Sequence, residues 1–237
     1  ETATMGFEIR AARPEDAGFL AWAVVESARS HVPRGFWDLL VTESDAARID
    51  FVTKLLLAER ASWWHWTIFH VAELDGAPAA TLSGFDPACV QSPHEAVPAA
   101  IAASGWTDVQ TQAAFTRASP MFGCRLDPTP GSWLVESVAT RPAARGHGLA
   151  QALVAHVQDE GRRRGLRLAE LTLMIGNTAA QRVYERAGFA ITAVHLDLTA
   201  TIPGIDEAAF RKIAEEAKNG CPVSKVLAGA EITLDAA

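Results

Sequence analysis

Residues 141–153 read RPAARGHGLAQAL. Gly146 and Gly148 stand just ahead of a regular run of apolar positions, Leu149, Leu153 and Val157. Glycine adopts left-handed backbone angles and lets a bulky partner approach the main chain. A helix start presents unpaired N–H groups and a partial positive charge. Together these features fit an anion seated on the backbone between Arg145 and Ala150. The third glycine of a dinucleotide-binding fingerprint is absent. The plainer alternative is a tight turn from strand to helix.

The surroundings extend this reading in both directions. SWLVESVAT ahead of the loop reads as a strand, and a helix is expected from about Gly148 to Arg164, capped by Gly165. LRLAELTLM reads as an apolar central strand, followed by a short helix in NTAAQRVYERAGF. Thr178 with Gln181 fits a capping box, and Gly188 a helix stop. Upstream, a strand at 7–10 precedes a helix that opens with Pro14, Glu15 and Asp16. A second helix starts near Ser44. Strands at 66–74 and 78–84 flank Asp75-Gly76, a hairpin signal. Residues 86–131 are rich in proline and read as two short helices in a lid or an insertion.

This order, with its particular residues, resembles the GNAT superfamily of acetyl-CoA-dependent N-acetyltransferases. Arg145-Gly146-His147-Gly148-Leu149-Ala150 is similar to the family's pyrophosphate loop, and Val135 to Thr140 to the strand beside the pantetheine arm. Asn177, Ala180, Tyr184, Gly188 and Phe189 match its second motif. The resemblance implies an α+β fold over about residues 7–193, with a mixed, mostly antiparallel sheet flanked by helices. It implies acetyl-CoA as co-substrate, held by Val138, Ala139, Thr140, Arg145 to Ala150, Asn177, Ala180 and Tyr184, without metal. Thr140 stands where the family often has valine, and Ala150 where a last glycine is commoner.

The resemblance also implies direct attack by an amine on the thioester. Tyr184, the single tyrosine, takes the place of the group near the thioester sulfur, where it serves as general acid or as hydrogen-bond donor to the departing thiolate. Glu136 occupies a position from which a carboxylate draws off the amine proton through water, and N–H groups near Ser137 and Val138 suit the acetyl oxygen. The alternatives are a buried aromatic for Tyr184 and a structural carboxylate for Glu136. Near the implied acceptor, His31, Trp37 and Asp38 suit either a pocket or packing and capping, with the second favoured. Trp63, Trp64 and Trp66 read as core. The acceptor is expected to be a small-molecule or peptide amine. A non-catalytic acyl-CoA-binding module is the runner-up.

The last 44 positions, 194–237, depart from a GNAT ending and resemble the C-terminal segment of OsmC/Ohr proteins. In CPVSK, Cys221 is expected to start a helix with Pro222 at its first position. No partner cysteine has matching neighbours, so thiol peroxidase activity is disfavoured. The tail is expected to close the sheet and bury Phe210, Ile213, Ile232 and Leu234.

Composition sets outer bounds. The chain has 237 residues, 49% hydrophobic, and a net charge of −7. That supports a sizeable core and argues against general nucleic-acid binding. The three cysteines fit no zinc spacing. No membrane-length apolar run or signal-peptide core is present in this sequence, so a cytoplasmic protein is expected, with a homodimer left open.

Overall fold

The computed structural model describes residues 6–122, 127–198, 202–221 and 230–236. Its elements run β1 (Phe7–Ala11), α1 (Ala17–Arg29), α2 (Phe36–Leu40), α3 (Asp45–Leu56), β2 (Phe69–Leu74), β3 (Ala77–Phe85), α4 (Pro93–Ala103) and α5 (Asp108–Ala118). Then follow β4 (Ser132–Thr140), α6 (Leu149–Arg163), β5 (Leu168–Glu170), α7 (Thr178–Arg186), β6 (Ala193–Leu198), α8 (Glu207–Gly220) and β7 (Glu231–Ala236). The chain divides into two units, Glu1–Ser119 with Asp127–Gly188, and Pro120–Leu126 with Phe189–Ala237.

The first unit is built on a five-stranded sheet in the order β1-β2-β3-β4-β5. Its pairs are antiparallel except β4–β5, which is parallel. This is the α+β arrangement expected. Asp75 and Gly76 both have positive φ, 52° and 77°, the turn that matches strand twist. Residues Trp66–Ile68, expected in a strand, form a 3-10 turn before β2. Pro14–Asp16 likewise form a 3-10 turn, and Asp16 accepts from Arg10 and from the Arg13 N–H before α1 begins.

Neighbouring β4 residues point to opposite faces. Leu134 joins α1 and α3 in a core with Phe69, Val71 and Phe85. Trp133 faces the other way, against Gly161 of α6 and Gly84 of β3. Helices therefore cover both faces. The segment expected to be a lid or insertion contributes Val97, Ile101, Ala114 and Ala118 to the first core. It packs as part of the first unit.

LRLAELTLM differs from expectation. Only Leu168–Glu170 form a strand, at the sheet edge, and Leu168 is 46% exposed. Its apolar residues lie beside an opening rather than between two strands.

In the second unit β6 and β7 pair in parallel, in register from Ala193–Glu231 to Leu198–Ala236, as a sheet of their own. The tail does not close the five-stranded sheet. Ile213 is exposed, and Phe210, Ile232 and Leu234 are half-buried. Cys221 lies at the C-terminal end of α8, where the macrodipole does not favour a thiolate. A helix start at Pro222 falls outside the described residues, as does Cys124.

Candidate active site

The site begins with a break in the β3–β4 ladder. Ser83 pairs with Glu136 and Thr81 with Ala139, so Ser137 and Val138 together face Leu82. This bulge puts Ser137 at φ +54°, a left-handed angle that serine adopts at a cost. Ser83 Oγ donates to the Glu136 carbonyl at 3.2 Å and fixes the strand there.

A second break lies on the other edge. β4 and β5 pair only at Ser132–Leu168, Trp133–Ala169 and Leu134–Glu170. Beyond Leu134 the two strands part. β4 is buried up to Val135, and Glu136 to Thr140 are half-buried. A main-chain edge therefore opens where Val138, Ala139 and Thr140 stand, an edge that an extended amide-bearing ligand can pair with.

The glycine loop continues from this edge. After a 3-10 turn at Pro142–Ala144, Gly146 (φ +85°) and Gly148 (φ +76°) take left-handed angles. Gly148 is the N-cap of α6 and supplies no capping side chain, and the first helical bond runs from Ala152 N–H to Gly148 O. The N–H groups of Leu149, Ala150 and Gln151 precede that bond. No acidic residue sits in the first turn. Residues 145–148 are exposed, whereas the Leu149 side chain is buried and holds the helix start to the core. His147 Nδ1 lies 3.1 Å from the Ala144 carbonyl and braces the turn. Leu149 and His147 thus serve the loop through backbone and bracing. The consecutive N–H groups form an anion seat.

α7 is fastened at both ends. Asn177 Oδ1 accepts from Ala180 N–H, so Asn177 caps the helix, not Thr178; the Gln181 side chain donates to Glu185. Asn177 Nδ2 donates to Ser30 Oγ at 2.7 Å, at the end of α1. At the other end Gln158 of α6 donates to the Ala187 carbonyl at 3.1 Å. Tyr184 lies on this braced helix, half-buried, and burial pushes its phenol up to about 12. It is a proton donor throughout the neutral range.

Near the α1–α2 turn the expected residues separate. Trp37 is buried against Trp64, with ring centroids 5.1 Å apart. Asp38 is buried, accepts from Gly35 N–H at 2.9 Å, and takes both Arg29 nitrogens at 2.7 and 3.0 Å. Both are structural. Trp63, Trp64 and Trp66 join the core as expected. His31 is exposed, and its Nε2 would lie 2.9 Å from a Cβ built on Gly176, next to Asn177. Ser30, which sits at φ +57° and ties α1 to α7, has no signature in the sequence. A serine after an arginine at a helix end is too common a pattern to read.

Residues 36–189 match the acetyltransferase (GNAT) family. The chain belongs to that family. In the N-acetyltransferase from Staphylococcus aureus Mu50 the fold recurs with a TM-score of 0.54 and 19% identity, over 78% of this chain and 92% of that one. SsHAT gives 0.53 and 15%, over 84% and 94%. At such identities the likeness is one of fold. Residues 146–236 match OsmC-like proteins. Peroxiredoxin OsmC of Escherichia coli (strain K12) is 57% identical over 49 residues, which are 21% of this chain and 34% of that protein. The chain thus covers about a third of the curated relatives it matches, and the Shigella flexneri protein matches to the same extent. Among the described residues, no helix is long and apolar enough to cross a membrane.

Proposed function

We propose that the protein transfers an acetyl group from acetyl-CoA to a small-molecule or peptide amine by direct attack. The observation that carries this reading is the continuity of the parted β4 edge with the anion seat at the start of α6. A ligand with an amide-bearing arm and a pyrophosphate fits both. The pyrophosphate takes N–H groups from Gly146 to Ala150 with Arg145 alongside, and the arm pairs with Val138 to Thr140.

The amine nitrogen attacks the acetyl carbon, and the N–H groups at the Ser137–Val138 bulge receive the negative oxygen. Glu136 takes the ammonium proton through water. The carbon–sulfur bond breaks as the Tyr184 hydroxyl donates a hydrogen bond to the departing thiolate, which then takes its proton from water. A phenol pushed up to about 12 stays protonated and keeps that hydrogen bond. Asn177 is a positioning residue, because its amide is spent on the α7 cap and on Ser30.

The test is thiol release from acetyl-CoA across a panel of amines, with Tyr184→Phe in parallel. The expected result is turnover with at least one amine, and a kcat lowered about 10²–10⁴-fold in the variant with CoA affinity kept. Because burial raises the phenol, no alkaline fall in kcat from Tyr184 is expected near pH 10. Wild-type kcat in the variant, with chemistry rate-limiting, overturns the assignment of Tyr184.

A further inference from the structure

Three potential metal ligands converge away from the acetyl-transfer site. His156 and Glu160 stand one turn apart on α6, so they share a face, and His70 reaches them from β2. One ligand atom from each lies within 4.8 Å of the others. The His70 and His156 rings meet edge to face at 4.7 Å. His70 Nε2 is 2.8 Å from Glu160 Oε2, and the two side chains are 13% and 17% exposed.

A simple ion pair leaves this cluster incomplete. His70 Nε2 and Glu160 Oε2 meet as an ion pair, but neither Glu160 Oε2 nor the buried His70 Nδ1 has a hydrogen-bond partner of ordinary geometry. Buried polar atoms are ordinarily satisfied. Arg164 holds the other carboxylate oxygen, Oε1, and so fixes which oxygen turns to the histidines.

We propose that His70, His156 and Glu160 bind a zinc-class divalent cation, with water completing the shell. Two imidazoles and a carboxylate are a donor set suited to such a cation. Bonds of about 2.0–2.1 Å in a tetrahedron set ligand atoms about 3.4 Å apart. Small rotamer changes reach that from the present distances. The cation would tie β2 to α6, about 10–17 Å along the helix axis from the glycine loop. No metal was expected from the cysteine spacing or the family resemblance, and His70 lies far upstream of the His156–Glu160 pair. This inference does not rest on acetyl transfer.

The experiment uses the untagged full chain, stripped with EDTA and dialysed. Zinc chloride is titrated by calorimetry, and Co²⁺ by visible absorbance. The expected result is one equivalent bound, a tetrahedral Co²⁺ spectrum without a thiolate charge-transfer band, and a Tm higher by about 5 °C or more at zinc a hundredfold above Kd. His156→Ala and the near-isosteric Glu160→Gln should each weaken zinc at least about tenfold. If His156→Ala does not fold, Glu160→Gln and the wild-type titration decide. No zinc uptake by the wild type, uptake unchanged in the folded variants, or a thiolate band each overturns the proposal.

Discussion

The two units differ most in what they bury. In the first, Trp133, Phe69, Leu20, Leu82 and Leu153 are all under 2% exposed. Among the described residues of the second, only Ala214 is buried, and Ile202 and Ile213 are 44% and 53% exposed. Both have helix signals of good quality: Asp206 caps α8 as Ser44 caps α3. Local signals therefore form elements in either unit, but only the first closes them over a core. Stability should accordingly reside in the first unit.

The sharpest way to break this contrast is Trp133→Ala, which empties the space between β3, β4 and α6. The expected loss is about 3–5 kcal/mol in urea unfolding. A loss below about 1 kcal/mol would mean that the first unit is not held by this core. Next in size is Gly148→Glu, in the proposed anion seat of the first unit. A built Cβ meets nothing within 4 Å there, so the substitution costs only the strain of a left-handed angle, about 1–2 kcal/mol, and the core is untouched. The carboxylate repels an anion at the helix start, and CoA affinity should fall about a hundredfold or more, which calorimetry can read. Unchanged affinity sinks the anion seat.

Asp38→Ala should cost about 1–3 kcal/mol at neutral pH. Burial alone would raise the Asp38 carboxyl, but the Arg29 hydrogen bonds overcome this and hold it below the usual range. A lowered folded value places this stability above the unfolded pKa, about 3.9, and removes it as pH falls through the folded value. The gap between wild type and variant should close in acid. A gap that is the same at pH 7 and in strong acid removes the ion pair from the account. Smallest of all, Ile213→Ala on α8 should stay within about 0.5 kcal/mol of wild type. A loss as large as that of Trp133→Ala would erase the difference between the units.

Sequence reading succeeded where a local rule decides the outcome. Asp75-Gly76 made the turn its chemistry requires, Ser44 capped α3, and Gly146 and Gly148 took left-handed angles. It failed where a long-range partner decides. LRLAELTLM has the composition of a central strand, but β5 pairs for three residues because β4 turns away from it. Thr178 and Gln181 had capping spacing, yet Asn177 is better placed because Ser30 holds its amide. For Asp38 packing and capping was the favoured reading, and its cap on Gly35 with Arg29 and Arg48 around it agrees. The tail's apolar residues promised burial by periodicity alone, and periodicity does not say what they meet.

The seat of Trp133 has a consequence for how this family member can change. A Cβ on Gly161 would lie 2.8 Å from Trp133 Cγ, and one on Gly84 3.0 Å from Trp133 Nε1 and 3.0 Å from the Val157 Cβ. The indole occupies the room that a methyl group would need on either side. Gly146 and Gly148 are constrained by backbone angle, with open space beyond. The two pairs of glycines therefore have different routes of escape. A smaller residue at 133 would make alanine acceptable at 161, so those positions can drift together. No neighbour can make room for a backbone angle, so the loop glycines must be kept or lost singly.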